Sequence, residues 1–324
     1  MQLNREKPLL VVSSRLGATA HVNLLSSPCE QRAPPGSTSP PPVPELPEVE
    51  TVRRGLEQRT KQFLIERVEV LRDRAIASPE QPAAFIAALQ HCRPEIWRRR
   101  GKYLIASLKT ETGAAGGHWG VHLRMTGQFL WLEQPREACG HTRVRLWNRQ
   151  GVELRFVDMR SFGTMWWVPP AVELTSVITG LKHLGPEPFS EEFNAAHLHQ
   201  MLKGSKRAIK SALLDQSLVA GVGNIYADES LFAAGIRPDT PSGQLRPTQL
   251  ERLAKALVEV LEASIGAGGT TFSDFRDLTG TNGNYGGQAW VYRRSGAPCR
   301  VCGTPIRREK LSGRSSHWCP SCQT

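Results

Sequence analysis

Apolar positions along the chain fall into two regimes. Up to about Thr179 they come in short alternating or continuous runs, the period expected of strands. These runs are FLIERVEV from Phe63, EIWRRRGKYLIASL from Glu95, GVHLRMTGQFLWL from Gly120, RVRLW from Arg143, VELRFV from Val152 and MWWV from Met165. One helix is expected among them, Pro79 to Gln90, with Ser78 as its cap. Another precedes them: Pro47 suits a first helical turn, Glu48 and Glu50 favour its positive end, and the helix should run to about Thr60. Many short strands with turns between them predict a β-sandwich or barrel. Beyond Thr179 apolar residues recur at helical spacing, which predicts helices over Asn194–Leu202, Ala208–Asp215, Ile225–Ala234 and Thr248–Ile265. Between two of these helices lies a glycine-rich double turn, Val219-Ala-Gly-Val-Gly-Asn224.

The first 43 residues do not share this patterning. QRAPPGSTSPPPV, from Gln31 to Val43, cannot build a core and reads as an extended, mobile tail. The apolar stretch Leu9 to Val12 is too short for a signal peptide. Arg15 and several serines, with no acid between Glu6 and Glu30, leave a mitochondrial transit peptide as a minor reading.

Composition narrows the class. The 324 residues carry 41 Lys+Arg against 30 Asp+Glu, a formal charge of +11 that favours a polyanionic partner such as nucleic acid. No apolar run reaches the ~18–20 residues of a membrane span. Four of the seven cysteines fall in the last 26 residues, as Cys299-Arg-Val-Cys302 and Cys319-Pro-Ser-Cys322 with 16 residues between the pairs. Two CxxC turns at this spacing form a closed tetrahedral zinc site; four ligands leave no open position, so the metal is structural. Arg300, Arg307, Arg308, Lys310 and Arg314 share the segment with one acid, Glu309, and Arg293 and Arg294 stand just before it, which marks a DNA-contacting hairpin. Of the remaining cysteines, Cys92 reads as core, and Cys29 and Cys139 as incidental.

Several motifs, in one order, resemble the formamidopyrimidine-DNA glycosylases, bacterial enzymes that repair oxidised purines. They are Pro44-Glu-Leu-Pro-Glu-Val-Glu50, Arg100-Gly-Lys-Tyr103, His122-Leu-Arg-Met-Thr-Gly127, Asp158-Met-Arg-Ser-Phe-Gly163, His183-Leu-Gly-Pro-Glu-Pro188, Leu214-Asp-Gln216 and Gly221-Val-Gly-Asn-Ile-Tyr226, with the zinc segment. The resemblance covers Pro44 to the end. It implies an α+β chain: a β-sandwich catalytic domain (44–178), a helical domain with a helix–two-turn–helix motif (179–288) and a zinc finger (289–324), after a disordered extension (1–43).

The resemblance also implies a bifunctional glycosylase and abasic-site lyase acting on double-stranded DNA with oxidised bases. It implies one structural Zn2+ and a monomer in the bacterial cytoplasm at the nucleoid. Pro44 matches the nucleophile, a secondary amine that attacks C1′ of the damaged nucleotide. A free α-amino group titrates near ~7.7–8 against ~10.4 for lysine, so far more of it is unprotonated at neutral pH. Glu45 matches the general acid/base, Lys102 the lysine that contacts phosphate and assists elimination, and Arg314 the arginine of DNA binding and later elimination. Met125, Arg160 and Phe162 match the residues that fill the gap left by a flipped base. For Met125 and Phe162, spacing alone favours core packing. His141, Lys206, Lys210 and Asn224 match phosphate contacts, although His141 stands in His-Thr-Arg where many relatives have His-Asp-His. Gly268 to Phe275 and Gly280 to Gly287 match a lesion-capping loop, and His122 reads as structural support.

One feature of the sequence conflicts with this chemistry. Pro44 lies inside the chain, where its nitrogen is a tertiary amide with no lone pair for attack. Residues 1–43 are therefore read as a mis-assigned start, with a GTG-type codon at Val43 initiating as methionine; proteolytic maturation is the second reading. A chain in which Pro44 stays internal would be an inactive zinc-finger DNA-binding paralogue. An endonuclease-VIII-like enzyme for oxidised pyrimidines is the other alternative, although that group typically begins Pro-Glu-Gly-Pro-Glu and this chain has Leu46.

Overall fold

The computed structural model describes residues 43–270, 278 and 283–324, so the expected extension up to residue 42 lies outside the described residues. Helix α1 (Leu46–Thr60) opens the fold, as its proline and acids predict. The Glu45 amide donates to Glu48 Oε2 at 3.0 Å, satisfying one of the amides that a helix start leaves free. Strands β1 (Arg67–Val70) and β2 (Ile76–Ser78), helix α2 (Pro82–Leu89), and strands β3 (Cys92–Arg100), β4 (Tyr103–Thr110), β5 (Ala115–His122), β6 (Gly127–Leu132), β7 (Thr142–Trp147), β8 (Glu153–Asp158) and β9 (Thr164–Val168) follow. They form a four-stranded sheet ordered β1-β7-β8-β6 and a five-stranded sheet ordered β2-β9-β5-β4-β3. Pairing is antiparallel except for β2 on β9. Phe85, Trp119, Phe129, Phe156 and Met165 fill the core of this sandwich.

Three boundaries differ from the periodicity. The run from Glu95 breaks at Gly101 and Lys102, where Gly101 turns the β3–β4 hairpin at φ +55°. The run from Gly120 breaks after His122, where Arg124 takes φ +55°. The first interior helix begins at Pro82 with Gln81 as cap, because Ser78 is the last residue of β2 and pairs with Trp166.

The helical part holds α3 (Leu174–Val177), α4 (Ala195–Leu202), α5 (Ile209–Leu213), α6 (Asn224–Ala233) and α7 (Pro247–Gly266). Asn194 caps α4 by accepting from the His197 amide at 2.9 Å. Leu198, Leu213, Tyr226, Leu231 and Leu257 pack its core. Strands β10 (Arg307–Leu311) and β11 (Arg314–Trp318) make the terminal hairpin.

Helix α1 joins the two larger parts. Leu46 packs into the helical core and its amide donates to Gly221 O at 3.1 Å, whereas Val49, Val52 and Leu56 pack into the sandwich. Residues 44 and 45 are thereby held where the two parts meet.

Candidate active site and nucleic-acid interface

A cleft of ≈1390 Å³ lies between sandwich, helical core and terminal hairpin, lined by Val43, Glu45, Lys102, Met125, Phe162, Asn224 and Arg314 among others. Sequence-distant candidates thus converge on one space. Pro44 is buried between Val43 and Glu45, both of which line that space.

Glu45 is 3% exposed and sits at the start of α6. Its carboxylate accepts from the Ile225 amide at 2.9 Å and the Tyr226 amide at 3.4 Å. Glycine at 223 makes this seat: a Cβ there would lie 2.2 Å from Glu45 Cδ. Gly221 takes φ +87°, and Gln216 braces the turn by accepting from the Gly221 amide at 2.9 Å and donating to Val222 O at 2.8 Å. Amides at a helix start favour an anion, but burial outweighs them. Desolvation lifts the Glu45 carboxyl from 4.5 to about 7; Lys102 opposes the rise and Glu48 adds to it. A carboxyl near 7 is both donor and acceptor at neutral pH, as a general acid/base requires.

Lys102 rides on the β3–β4 turn. Glu187 fixes that turn by accepting from the Gly101 amide at 2.6 Å, Arg99 at 2.6 Å and Arg100 at 3.1 Å. Desolvation lowers the Lys102 pKa against the pull of Glu45, and Arg314 lowers it further. Burial and the charges of Arg124 and Lys102 push His122 down to about 3, so it is a neutral imidazole, and its Nδ1 accepts from the Arg124 amide at 3.0 Å. Glu48 is buried and accepts from Tyr226 Oη and the Thr270 amide, each at 2.7 Å. Glu50 pairs with Arg53, Arg54 and Arg99.

Met125 and Phe162 are not core residues. Phe162 is 43% exposed, Met125 is half-buried, and the Arg160 guanidinium stands 5.0 Å from the Phe162 ring centroid. Their loops carry left-handed residues, Arg124 at φ +55° and Ser161 at φ +53°, a conformation that costs free energy and concentrates at functional loops. Asp158 ties the loops together. It accepts from Thr126 Oγ1, the Arg160 amide at 3.1 Å and the Gly163 amide at 2.6 Å.

The expected phosphate contacts divide. Asn224 lines the cleft and Lys206 is exposed at the approach to α5. His141 is half-buried, with its carbonyl accepting from the Asp158 amide at 2.8 Å. Lys210 departs from the expectation of a phosphate contact. It is 1% exposed, with Nζ 2.7 Å from Asp228 Oδ1 and 2.6 Å from Ser315 O, so its charge is neutralised inside the protein. Residues 271–277 and 279–282 of the expected lesion-capping loop lie outside the described residues.

The sulfurs of Cys299, Cys302, Cys319 and Cys322 lie within 4.8 Å of one another, with Cys302–Cys319 at 3.4 Å and Cys299–Cys322 at 3.9 Å. Tetrahedral zinc with ~2.3 Å bonds places sulfurs about 3.8 Å apart. The donor set therefore fits one zinc ion, which would close the base of the β10–β11 hairpin. Sequence reasoning missed the supporting residues Asp158, Glu187, Asp228 and Glu229; for Asp158 and Glu187 an acid inside a motif was the only signal, and Asp228 and Glu229 had none.

Comparison with known proteins agrees with this layout. Residues 43–165 match the profile of the formamidopyrimidine-DNA glycosylase N-terminal domain, 184–276 that of the family's H2TH domain, and 296–324 that of the zinc finger found in FPG and IleRS. The formamidopyrimidine-DNA glycosylase of Parasynechococcus marenigrum is 69% identical over 281 residues, 87% of this chain and 100% of that protein. That of Acaryochloris marina is 59% identical over 281 residues, 87% of this chain and 99% of that protein. Among solved structures, a Lactococcus lactis FPG mutant bound to Fapy-dG DNA superposes with a TM-score of 0.78 at 32% identity, covering 87% of this chain and all of that one. The MutM (FPG) protein of Thermus thermophilus superposes at 0.75 with 38% identity, covering 86% of this chain and 98% of that one. The fold and site define a base-excision DNA-repair enzyme, a glycosylase with abasic-site lyase action. The chain belongs to the formamidopyrimidine-DNA glycosylase family, and its terminal module is a zinc finger with one structural zinc.

Proposed function

We propose that this chain removes oxidised purines from duplex DNA and cleaves the resulting abasic site by β,δ-elimination, with the Pro44 nitrogen as nucleophile once it is the free amino terminus. The observation that carries this reading is the Glu45 carboxyl. It is fixed beside Pro44 at the start of α6, lifted to about 7, and shares one cleft with Lys102 and Arg314.

The secondary amine attacks C1′ and the base leaves with its bonding electrons. Glu45 in its acid form supplies a proton where the sugar-ring oxygen is released, and its carboxylate accepts one from the amine. The iminium between Pro44 and the opened sugar holds the strand during elimination, with Lys102 and Arg314 at the phosphates. Half-buried Met125 and exposed Arg160 and Phe162, all on braced loops, fill the gap left by the flipped nucleotide. Asn224, Lys206 and His141 supply phosphate contacts.

All of these groups come from one chain, which supports action as a monomer. Among the described residues no helix is long and apolar enough to cross a membrane. A DNA substrate supports action in the cytoplasm, at the nucleoid.

Incubating the chain beginning at Pro44 with a duplex carrying one 8-oxoguanine tests the proposal. Base release with both β- and δ-elimination products is expected. Cleavage of thymine glycol but not 8-oxoguanine would favour the oxidised-pyrimidine reading, and binding without cleavage would overturn the enzyme assignment.

A further inference from the structure

Two consecutive acids of α6, Asp228 and Glu229, are wholly buried and have no part in the proposed reaction. They grip the zinc module from two sides. Glu229 accepts from the amides of Trp290 at 2.8 Å, Val291 at 3.0 Å and Tyr292 at 2.8 Å, the segment that leads into the module. Asp228 accepts from the His317 amide at 2.9 Å and Ser316 Oγ at 3.2 Å, both on β11. Its Oδ2 also lies 3.2 Å from His317 Nδ1. Lys210 of α5 completes the cluster, with Nζ 2.7 Å from Asp228 and 2.6 Å from Ser315 O.

Residues 315–317 directly follow Arg314, and α6 is the helix whose first amides hold Glu45. One helix therefore registers both. A buried Lys–Asp pair contributes little net stability, because an apolar pair of similar volume packs as well. What the ionic pair adds is direction: its hydrogen bonds allow β11 one position along α6.

We propose that Asp228, acting with Lys210, is a positioning residue: it seats the β10–β11 hairpin on α6 so that Arg314 stands in the cleft with Lys102 and Glu45. The proposal rests on the reading of Arg314 given above. In the absence of the pair the hairpin keeps its zinc but loses its register, and Arg314 loses its phosphate.

The test uses the full zinc-loaded chain, a duplex with a tetrahydrofuran abasic analogue, and the variants Asp228→Asn and Lys210→Met/Asp228→Leu. The second variant keeps the branched shape at 228 and leaves no unpaired buried charge, unlike the first, which strands the Lys210 ammonium. Both should bind one zinc and keep parental hydrogen exchange in the sandwich, with exchange in 307–318 at least about tenfold faster. Duplex affinity should fall about tenfold, and the slope of log affinity against log salt should flatten by about 0.9, the share of one phosphate. Arg314→Gln should flatten the parental slope equally and add nothing in either variant. Parental exchange and slope in the double variant would overturn the proposal, as would additive effects of Arg314→Gln and Asp228→Asn. An unchanged slope in Arg314→Gln alone would refute the reading of Arg314, and exchange in 307–318 would then decide the positioning role by itself.

Discussion

Replacing Glu45 by Gln should make the protein more stable and less active, with the gain set by pH. The folded carboxyl titrates at about 7 and the unfolded one near 4.5. Between those values the folded state binds more protons, so its stability falls as pH rises through the window and levels off above it. The full displacement corresponds to about 3 kcal/mol at pH 8, of which about 1 kcal/mol is already present at pH 5.5. Glutamine does not titrate. It still accepts from the Ile225 amide, while the 3.4 Å bond from Tyr226 is lost, a constant offset of about 1 kcal/mol. The advantage of Glu45→Gln over the parent should therefore grow by about 2 kcal/mol between pH 5.5 and pH 8, whatever the offset. Urea unfolding of the zinc-loaded proteins across that range measures it. In the chain beginning at Pro44 the same variant should lose roughly 10²–10⁴-fold in base excision and much less in incision of a preformed abasic site. A stability difference that does not change with pH would refute the claim that burial holds this carboxyl near neutrality. Equal losses in both activities would refute the claim that its proton transfers at the sugar-ring oxygen and the amine serve base excision above all.

Gly223→Ala should cost about a hundredfold in base excision, because its Cβ would displace the Glu45 carboxyl; 8-oxoguanine release rates check this, and parental rates would contradict it. Cys302→Ser should release zinc, unfold the terminal module and abolish duplex binding while the sandwich stays folded, as metal analysis and circular dichroism would report. Arg160→Ala should weaken duplex binding, read from affinities at several salt concentrations, with the slope flattened by about 0.9 for each phosphate that the guanidinium also neutralises; lost turnover at parental affinity and slope would argue against its place in the opened duplex.

Much of the architecture was legible because it depends on short spacings. The paired CxxC turns, the Pro-Glu start of α1 and the helical periods all appear in the structure at or within a few residues of their expected places. Features that depend on distant partners were not legible. Lys210 looks like any basic helix residue until Asp228, 18 positions away, closes on it. Met125 and Phe162 have the spacing of core residues, and only the turns at Arg124 and Ser161 put them at the cleft. The breaks at Gly101 and after His122 interrupt strand-like runs, because turn geometry overrides the period at both and the Gly101 amide donates to Glu187 at the first. Glu45 could be named from its motif, but its displaced titration comes from burial that only packing against α6 produces.

Everything in the proposed reaction turns on the Pro44 nitrogen as nucleophile. Borohydride trapping on a duplex with one 8-oxoguanine tests it, comparing the chain beginning at Pro44 with the uncleaved 324-residue chain and sequencing the crosslinked peptide. A stable crosslink at Pro44 is expected in the first, and DNA binding with no crosslink at Pro44 in the second. A crosslink at Lys102, or full activity from the uncleaved chain, would contradict the assignment.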